Sequence, residues 1–254
     1  MAVKRIKFDF DSNEVKSHTP MENAILVHDN FTQEVLIQGN LKHPNILPIQ
    51  YICMKPLCII FEMCEFGDLY TFLHKWDTHI PWQLKLKISI DIAKGLKYLQ
   101  DHQPPICHID FKSPNILVSS MDPTRICAKI SDFGSAQMIS HPLNVRYVDN
   151  IIWLAPEILK DIPYDHRTDI YAYAVICYEI LTRDDYFKNV RFMSEIRDKI
   201  ISGERPEIIE ECPPEYAEII RATWQDNPIL RPPMDWVIEK LEMMIAEGDV
   251  IEQK

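Results

Sequence analysis

Cys107-His108-Ile109-Asp110-Phe111-Lys112-Ser113-Pro114-Asn115-Ile116-Leu117-Val118, followed by Lys129-Ile130-Ser131-Asp132-Phe133-Gly134, is the stretch on which the reading of this chain turns. An Asp, a Lys two positions on and an Asn five positions on form a compact polar cluster. A second Asp follows 17 residues after the Asn. Apolar runs flank both halves, Ile116 to Val118 after the first and Ala128 to Ile130 before the second. Short β-runs around tight turns hold such side chains at one mouth. Asp-Phe-Gly alone is a weak signal, because such tripeptides also make ordinary turns. Several motifs in order and at fixed spacing carry the weight.

In that order and spacing the stretch resembles the catalytic loop of a eukaryotic protein kinase followed by its Asp-Phe-Gly metal motif. The resemblance implies ATP and Mg²⁺ as cofactors and protein substrates as partners. Phosphoryl transfer needs a group to orient and deprotonate the attacking hydroxyl, here Asp110. It needs hard oxygen ligands for Mg²⁺, here Asn115 and Asp132. It also needs a cation beside the transferred phosphate, here Lys112.

Composition sets the outer bounds. The 254 residues suffice for one large domain or two small lobes. Lys+Arg 27 against Asp+Glu 38 leaves a net charge of −11 with no basic stripe, which argues against nucleic acid as the main partner. The seven cysteines contain no Cys-x-x-Cys and sit mostly in apolar runs, so they are expected to be reduced core residues. No apolar run approaches a membrane span and no signal segment opens the chain. A reducing, cytoplasmic setting is the default expectation.

The chain opens with a short alternating run that predicts a strand. Within it, Ala2-Val3-Lys4 resembles the kinase strand that carries the phosphate-binding lysine. Kinases place a glycine-rich loop before that lysine, whereas the six glycines here begin at Gly39. The expectation is therefore a truncated small lobe. Residues 9–30 are mixed and polar and are expected to form a long loop. Phe31 to Leu41 predicts a helix, with Thr32 or Asn30 as its cap. Glu34, nine residues before His43-Pro44-Asn45, falls where the resemblance places the partner of the lysine. One turn on, Gln38 replaces the usual apolar residue, and a polar group there is expected to weaken the helix position.

Ile49–Met54 and Leu57–Phe61 predict two strands joined at Lys55-Pro56. The stretch Phe61 to Leu69 resembles the inter-lobe hinge. There Phe61 would close the pocket behind adenine, and backbone groups of Glu62 to Cys64 would hydrogen-bond the base. Leu117 would form the floor under adenine, and Ala2 part of its roof. Asp68 is expected to cap the next helix. Ile80 to His102 predicts a long amphipathic helix ended by Pro104-Pro105.

The familiar His-Arg-Asp is here His108-Ile109-Asp110, which removes an arginine that receives a phosphate on the activation segment. Switching by phosphorylation of that segment is therefore not expected. Ser135 to Asn150 is the candidate segment, with Ser135, Ser140 and Tyr147 as possible acceptors. Ala155-Pro156-Glu157 follows, and Arg231 is expected to pair with Glu157. Asp169, on a helix expected over Asp165–Thr182, is expected to tie down the catalytic-loop backbone.

The resemblance runs from Ala2 to about Leu241 and is closest to the tyrosine-kinase-like group, with its Raf, mixed-lineage and Roco-type kinases. The expected fold is α+β, a bilobal kinase-like domain with a truncated small β-rich N-lobe and a large helical C-lobe. The domain is expected to span 1–254: N-lobe about 1–61, hinge about 62–68, C-lobe about 69–243, and an acidic tail over 244–254. The expected activity is ATP-dependent phosphorylation of Ser and Thr hydroxyls. A non-catalytic scaffold module, or an inactive fragment of a longer kinase, is the alternative. Substrate identity, upstream regulator and oligomeric state are not legible.

Overall fold

Alternating half-buried and exposed residues make β1 (Ala2–Arg5) an edge strand with Lys4 turned inward. The computed structural model describes residues 1–5, 20–75, 79–143 and 151–252. Helix α1 spans Pro20–Gln38. The loop expected over residues 9–30 is thus corrected from Pro20 onward, and its earlier part lies outside the described residues. Pro20 acts as a helix opener, since the first turn needs no N–H there and the fixed φ suits a helix. Thr32 and Asn30, expected as caps, lie inside α1, and the Thr32 hydroxyl donates to the His28 carbonyl at 2.9 Å.

Strands β2 (Ile49–Met54) and β3 (Leu57–Phe61) fall where the alternation predicts them. With β1 they form an antiparallel sheet of order β1-β3-β2. Its inner face and α1 enclose a small core of Phe31, Leu47, Ile59, Phe61 and Cys64. Helix α2 (Leu69–Lys75) begins behind Asp68, whose carboxylate accepts the Thr71 N–H at 2.8 Å as a cap.

The second, larger core is helical. Helix α3 (Trp82–Gln100) is slightly shorter than expected. Strands β4 (Ile106–Cys107), β5 (Ile116–Val118), β6 (Ala128–Ile130) and β7 (Gln137–Met138) pair as β4-β7 and β5-β6. Then follow α4 (Pro156–Leu159), α5 (Arg167–Thr182), α6 (Met193–Ser202), α7 (Pro214–Thr223) and α8 (Met234–Glu252). Every residue of α5 from Thr168 to Leu181 is buried, which makes it the central post of this lobe. Gly95 lets α3 approach closely, since a Cβ there would stand 2.7 Å from the Ile130 side chain and 3.0 Å from the Asn45 carbonyl oxygen. The solvated tail expected from residue 244 is corrected: α8 runs through that point, Met244 is buried and Ile245 packs on the core. All seven cysteines are free thiols.

Arg231 and Glu157 meet inside this lobe at 2.6 and 2.8 Å through two parallel hydrogen bonds. Arg231 also donates to the carbonyls of Gln225 and Arg167 at 2.9 and 2.8 Å. Removing one partner leaves a buried charge without compensation. Arg231→Leu is expected to lower stability by about 3–5 kcal/mol, and Arg231→Leu with Glu157→Leu to recover much of that loss. Urea unfolding of the three proteins measures both.

Candidate active site

The loop holding Asp110 is fixed from beneath by α5. Asp169 is fully buried, and its two carboxylate oxygens accept the successive N–H groups of His108 and Ile109 at 2.7 and 3.1 Å. Burial pushes the Asp169 carboxyl up, against these hydrogen bonds. Ile109 sits at φ 68°, a left-handed conformation that is an outlier for a β-branched residue. The paired N–H groups hold it there, which turns Asp110 outward. His108 is buried between Phe111 and Phe133, with ring centroids 5.5 and 4.9 Å away. It bonds the Ser131 carbonyl at 3.0 Å and so ties this loop to the strand leading to Asp132.

Asp110 collects the polar cluster around itself. The Lys112 ammonium lies 2.7 Å from its Oδ1. The Asn115 amide donates to its Oδ2 at 3.0 Å and to its backbone carbonyl at 2.8 Å. The Asn115 amide nitrogen therefore faces Asp110, and Oδ1 is the atom Asn115 offers to a cation.

Lys4 comes from the other lobe. Its Nζ lies 2.9 Å from both Glu34 oxygens and 2.7 Å from Asp132 Oδ1. The separations in sequence are 30 and 128 residues, so only the fold brings the three together. Burial would lower the Lys4 pKa, but the Asp132 and Glu34 carboxylates overcome it and raise it. Burial would raise Asp132, and Lys4 overcomes it, so this carboxyl stays below its usual range. Glu34 is almost fully buried, and burial pushes it upward against the pull of Lys4. Asp132 itself adopts φ 62°, another left-handed outlier that aims its carboxylate at Lys4.

The residues expected around adenine gather on the small core. Phe61 is buried, and its register partner across β1 is Ala2. Leu117 packs against the core that contains Phe61 and Cys64. The Glu62 carboxylate pairs with Lys129 on β6.

No group of three or more His, Cys, Asp or Glu is placed to hold a metal among the described residues. What stands there is hard oxygen from Asp132 and Asn115. That set fits Mg²⁺, which takes one or two carboxylates and completes its shell with water and phosphate oxygens.

Three further supports were not singled out from the sequence. Gln33 donates to the Ala136 carbonyl at 2.6 Å and ties α1 to the segment after Asp132. Asp91, on α3, accepts the N–H groups of Cys127 and Ala128 at 2.7 and 3.2 Å and so sets β6. Glu179, buried in α5, accepts the Trp153 indole N–H at 3.0 Å. Helical spacing marks these positions only as buried, and their partners are remote in sequence. Gln38 is buried and donates to the Leu47 carbonyl at 2.7 Å. The amide tethers α1 beside the Lys4–Glu34 contact, while Gln38 Oε1 is buried without a hydrogen-bond partner, the kind of cost expected of a polar group there. Of the possible acceptors on the activation segment, Ser140 is exposed and Ser135 half-buried, and Tyr147 lies outside the described residues.

One cleft on the helical lobe, about 720 Å³, opens beside Phe187, Arg205 and Glu207 and contains none of these site residues. Another, about 410 Å³, is lined by Tyr70, Pro114, Ile152, Trp153, Asp185 and Met193, and so adjoins the Asp110 loop at Pro114.

The profile described as "Protein tyrosine and serine/threonine kinase" matches residues 14–241. Three similar proteins come from Dictyostelium discoideum. "Probable serine/threonine-protein kinase pats1" is 41% identical over 222 residues, covering 87% of this chain and 7% of that protein. "Cyclic GMP-binding protein C" is 38% identical over 226 residues, and "Probable serine/threonine-protein kinase roco7" 37% over 227, each covering 87% of this chain and 9% of theirs. The chain thus spans less than a tenth of the length of these relatives. The family match begins after Lys4, so the place of Lys4 rests on its geometry.

Burial raises Glu179 to about 8, partly offset by the hydrogen bond from Trp153. The folded pKa exceeds the unfolded one, so this group's stabilisation is complete below the unfolded value near 4.5 and is lost as pH rises towards 8. The slope from one such group is at most about 1.4 kcal/mol per pH unit. Glu179→Gln is expected to flatten the fall in melting temperature between pH 5 and 8, as read by thermal melts across that range.

Proposed function

The chain belongs to the protein tyrosine and serine/threonine kinase family, and on that premise we propose that it transfers the γ-phosphoryl group of ATP to serine and threonine hydroxyls of proteins. The observation that carries this reading is the convergence of Lys4 on Glu34 and Asp132, across two lobes and 128 residues of sequence. Relatives named as probable serine/threonine kinases support the choice of acceptor, as does Lys112 two residues after Asp110.

Mg²⁺ bound with ATP would neutralise the phosphate charge and orient the γ-phosphoryl group for in-line transfer. Asp132 and the Asn115 Oδ1 would hold that metal. Lys4, kept in place by Glu34, would contact the phosphate oxygens. Asp110 would accept the proton of the substrate hydroxyl as its oxygen bonds to the γ-phosphorus, while the bridging oxygen departs with the electron pair on ADP. Lys112, already beside Asp110, would balance charge on the transferred group. The cleft beside Pro114, Ile152 and Trp153 is open to a peptide that presents its hydroxyl to Asp110. A reducing cytoplasmic setting accords with seven free thiols and with the finding that no described helix is long and apolar enough to cross a membrane.

Thermal melts with Mg²⁺ and ATP test the binding step. A ligand at a hundredfold its Kd adds about 2.7 kcal/mol, a rise of roughly 5–10 °C for a chain of this size. Mg²⁺ alone is expected to shift nothing, because two protein oxygens hold it weakly. Asp132→Asn is expected to abolish the shift. Asp110→Asn should keep the shift while lowering phosphate transfer about a thousandfold, within the usual range for a lost general base. Equal transfer by Asp110→Asn and the parent protein would overturn the catalytic reading and favour the scaffold.

A further inference from the structure

We propose that Cys53 and Cys58 form a reversible redox pair on the outer face of the small sheet, oxidised to a disulfide by peroxide. The inference is independent of the phosphoryl-transfer reading. The two residues are direct register partners across β2 and β3. Directly opposed residues of an antiparallel pair carry Cβ atoms about 4.5–5.5 Å apart on the same face. A disulfide needs a Cα separation of about 4.4–6.8 Å and a Cβ separation of about 3.5–4.5 Å. Little movement is therefore required.

The surroundings favour this pair over the other thiols. Cys53 is half-buried, whereas the other six cysteines are buried. Burial raises Cys64 and Cys212 to about 11, and Cys127 and Cys177 to about 12, so these are poor nucleophiles. Cys58 faces Arg5 across β1 and β3, so Arg5, Cys58 and Cys53 make one row across the sheet. That row lies on the face opposite Ile59, which faces the small core. Burial raises the Cys58 thiol, the adjacent Cys53 sulfur raises it further, and the Arg5 guanidinium offsets only part of this.

The chemistry closes with hydrogen peroxide as the oxidant. The Cys53 thiolate attacks one peroxide oxygen, the O–O bond breaks, and the departing hydroxide takes up a proton to leave as water. Cys53 is then a sulfenic acid. The Cys58 sulfur attacks the Cys53 sulfur, the S–S bond forms, the S–O bond breaks, and a second water leaves with the Cys58 proton. Two thiols lose two electrons and two protons, and peroxide is reduced to two waters. A dithiol or glutathione reverses the reaction by thiol–disulfide exchange.

The purified chain is treated with graded hydrogen peroxide, remaining thiols are blocked with N-ethylmaleimide, and the digest is weighed. The expected result is loss of two of the seven thiols, with the segment carrying Cys53 and Cys58 lighter by two hydrogens and restored by dithiothreitol. Cys53→Ser and Cys58→Ser should each abolish that species, and Cys64→Ser should retain it. Cleavage after Phe61 separates Cys64 from the pair, so the wild-type chain alone locates the bond should a variant fail to fold. Overoxidation of Cys53 beside a free Cys58 thiol would overturn the proposal. So would a disulfide that survives Cys58→Ser, or no reaction at either residue at peroxide levels that oxidise free glutathione.

Discussion

A carboxylate buried in the first turn of an apolar helix is the constraint on which the rest of this structure depends. Asp169 lies on α5 among residues that are buried without a break from Thr168 to Leu181. An unpartnered charge there would be prohibitive, so the group has to find donors. It finds the two N–H groups of His108 and Ile109, and the loop must bend to supply both. The bend puts Ile109 at positive φ, a conformation an isoleucine would not adopt unaided. Asp110 is the next residue, and its outward aim follows from that bend. The two hydrogen bonds that Asp169 accepts and the placement of Asp110 are thus one mechanical fact.

A second set of tethers brings the metal-facing strand to the same loop. His108 joins the Ser131 carbonyl, and the Ser131 N–H and hydroxyl both return to the Asn115 carbonyl at 2.9 and 2.8 Å. Asp91 holds the start of β6 through two backbone N–H groups. Asp132 therefore leaves a strand anchored at both ends. The small lobe is attached to it by charge. Lys4 reaches across to Asp132 while Glu34 supports it from α1, and each contact lies below 3 Å. The lobes also meet through backbone bonds of Leu47 and Asn45 with Ile130, through the Gln33 tether of α1, and through Ile37, Leu41 and Ile46, which pack into the larger core. Nucleotide chemistry at such a junction benefits from groups positioned before the substrate arrives.

Legibility followed the range of the interactions. Strands β2 and β3 and the Asp68 cap were readable because period-two alternation and capping are local. The Arg231–Glu157 and Lys4–Glu34 contacts came from motif order, and spacing alone would not have paired them. The start of α1 was misread, since Pro20 among polar residues looks like a loop breaker, although the same proline suits a first helical turn. The solvated tail expected from residue 244 was misread because acidic residues near 244 mask a helix that still buries Met244.

By itself the sequence determined which chemistry-bearing side chains exist, in what order, and which local elements carry them. It determined this because helix and strand periods, caps and turns act over a few residues. Only the tertiary structure decided that Lys4 is shared between Glu34 and Asp132, that Asp91 and Glu179 are buried supports, that Gln38 tethers α1, and that Cys53 faces Cys58 across a hairpin. Those outcomes depend on burial and on contacts across as many as 128 residues, where the energy of a charge or a thiol is set by what the rest of the fold places beside it.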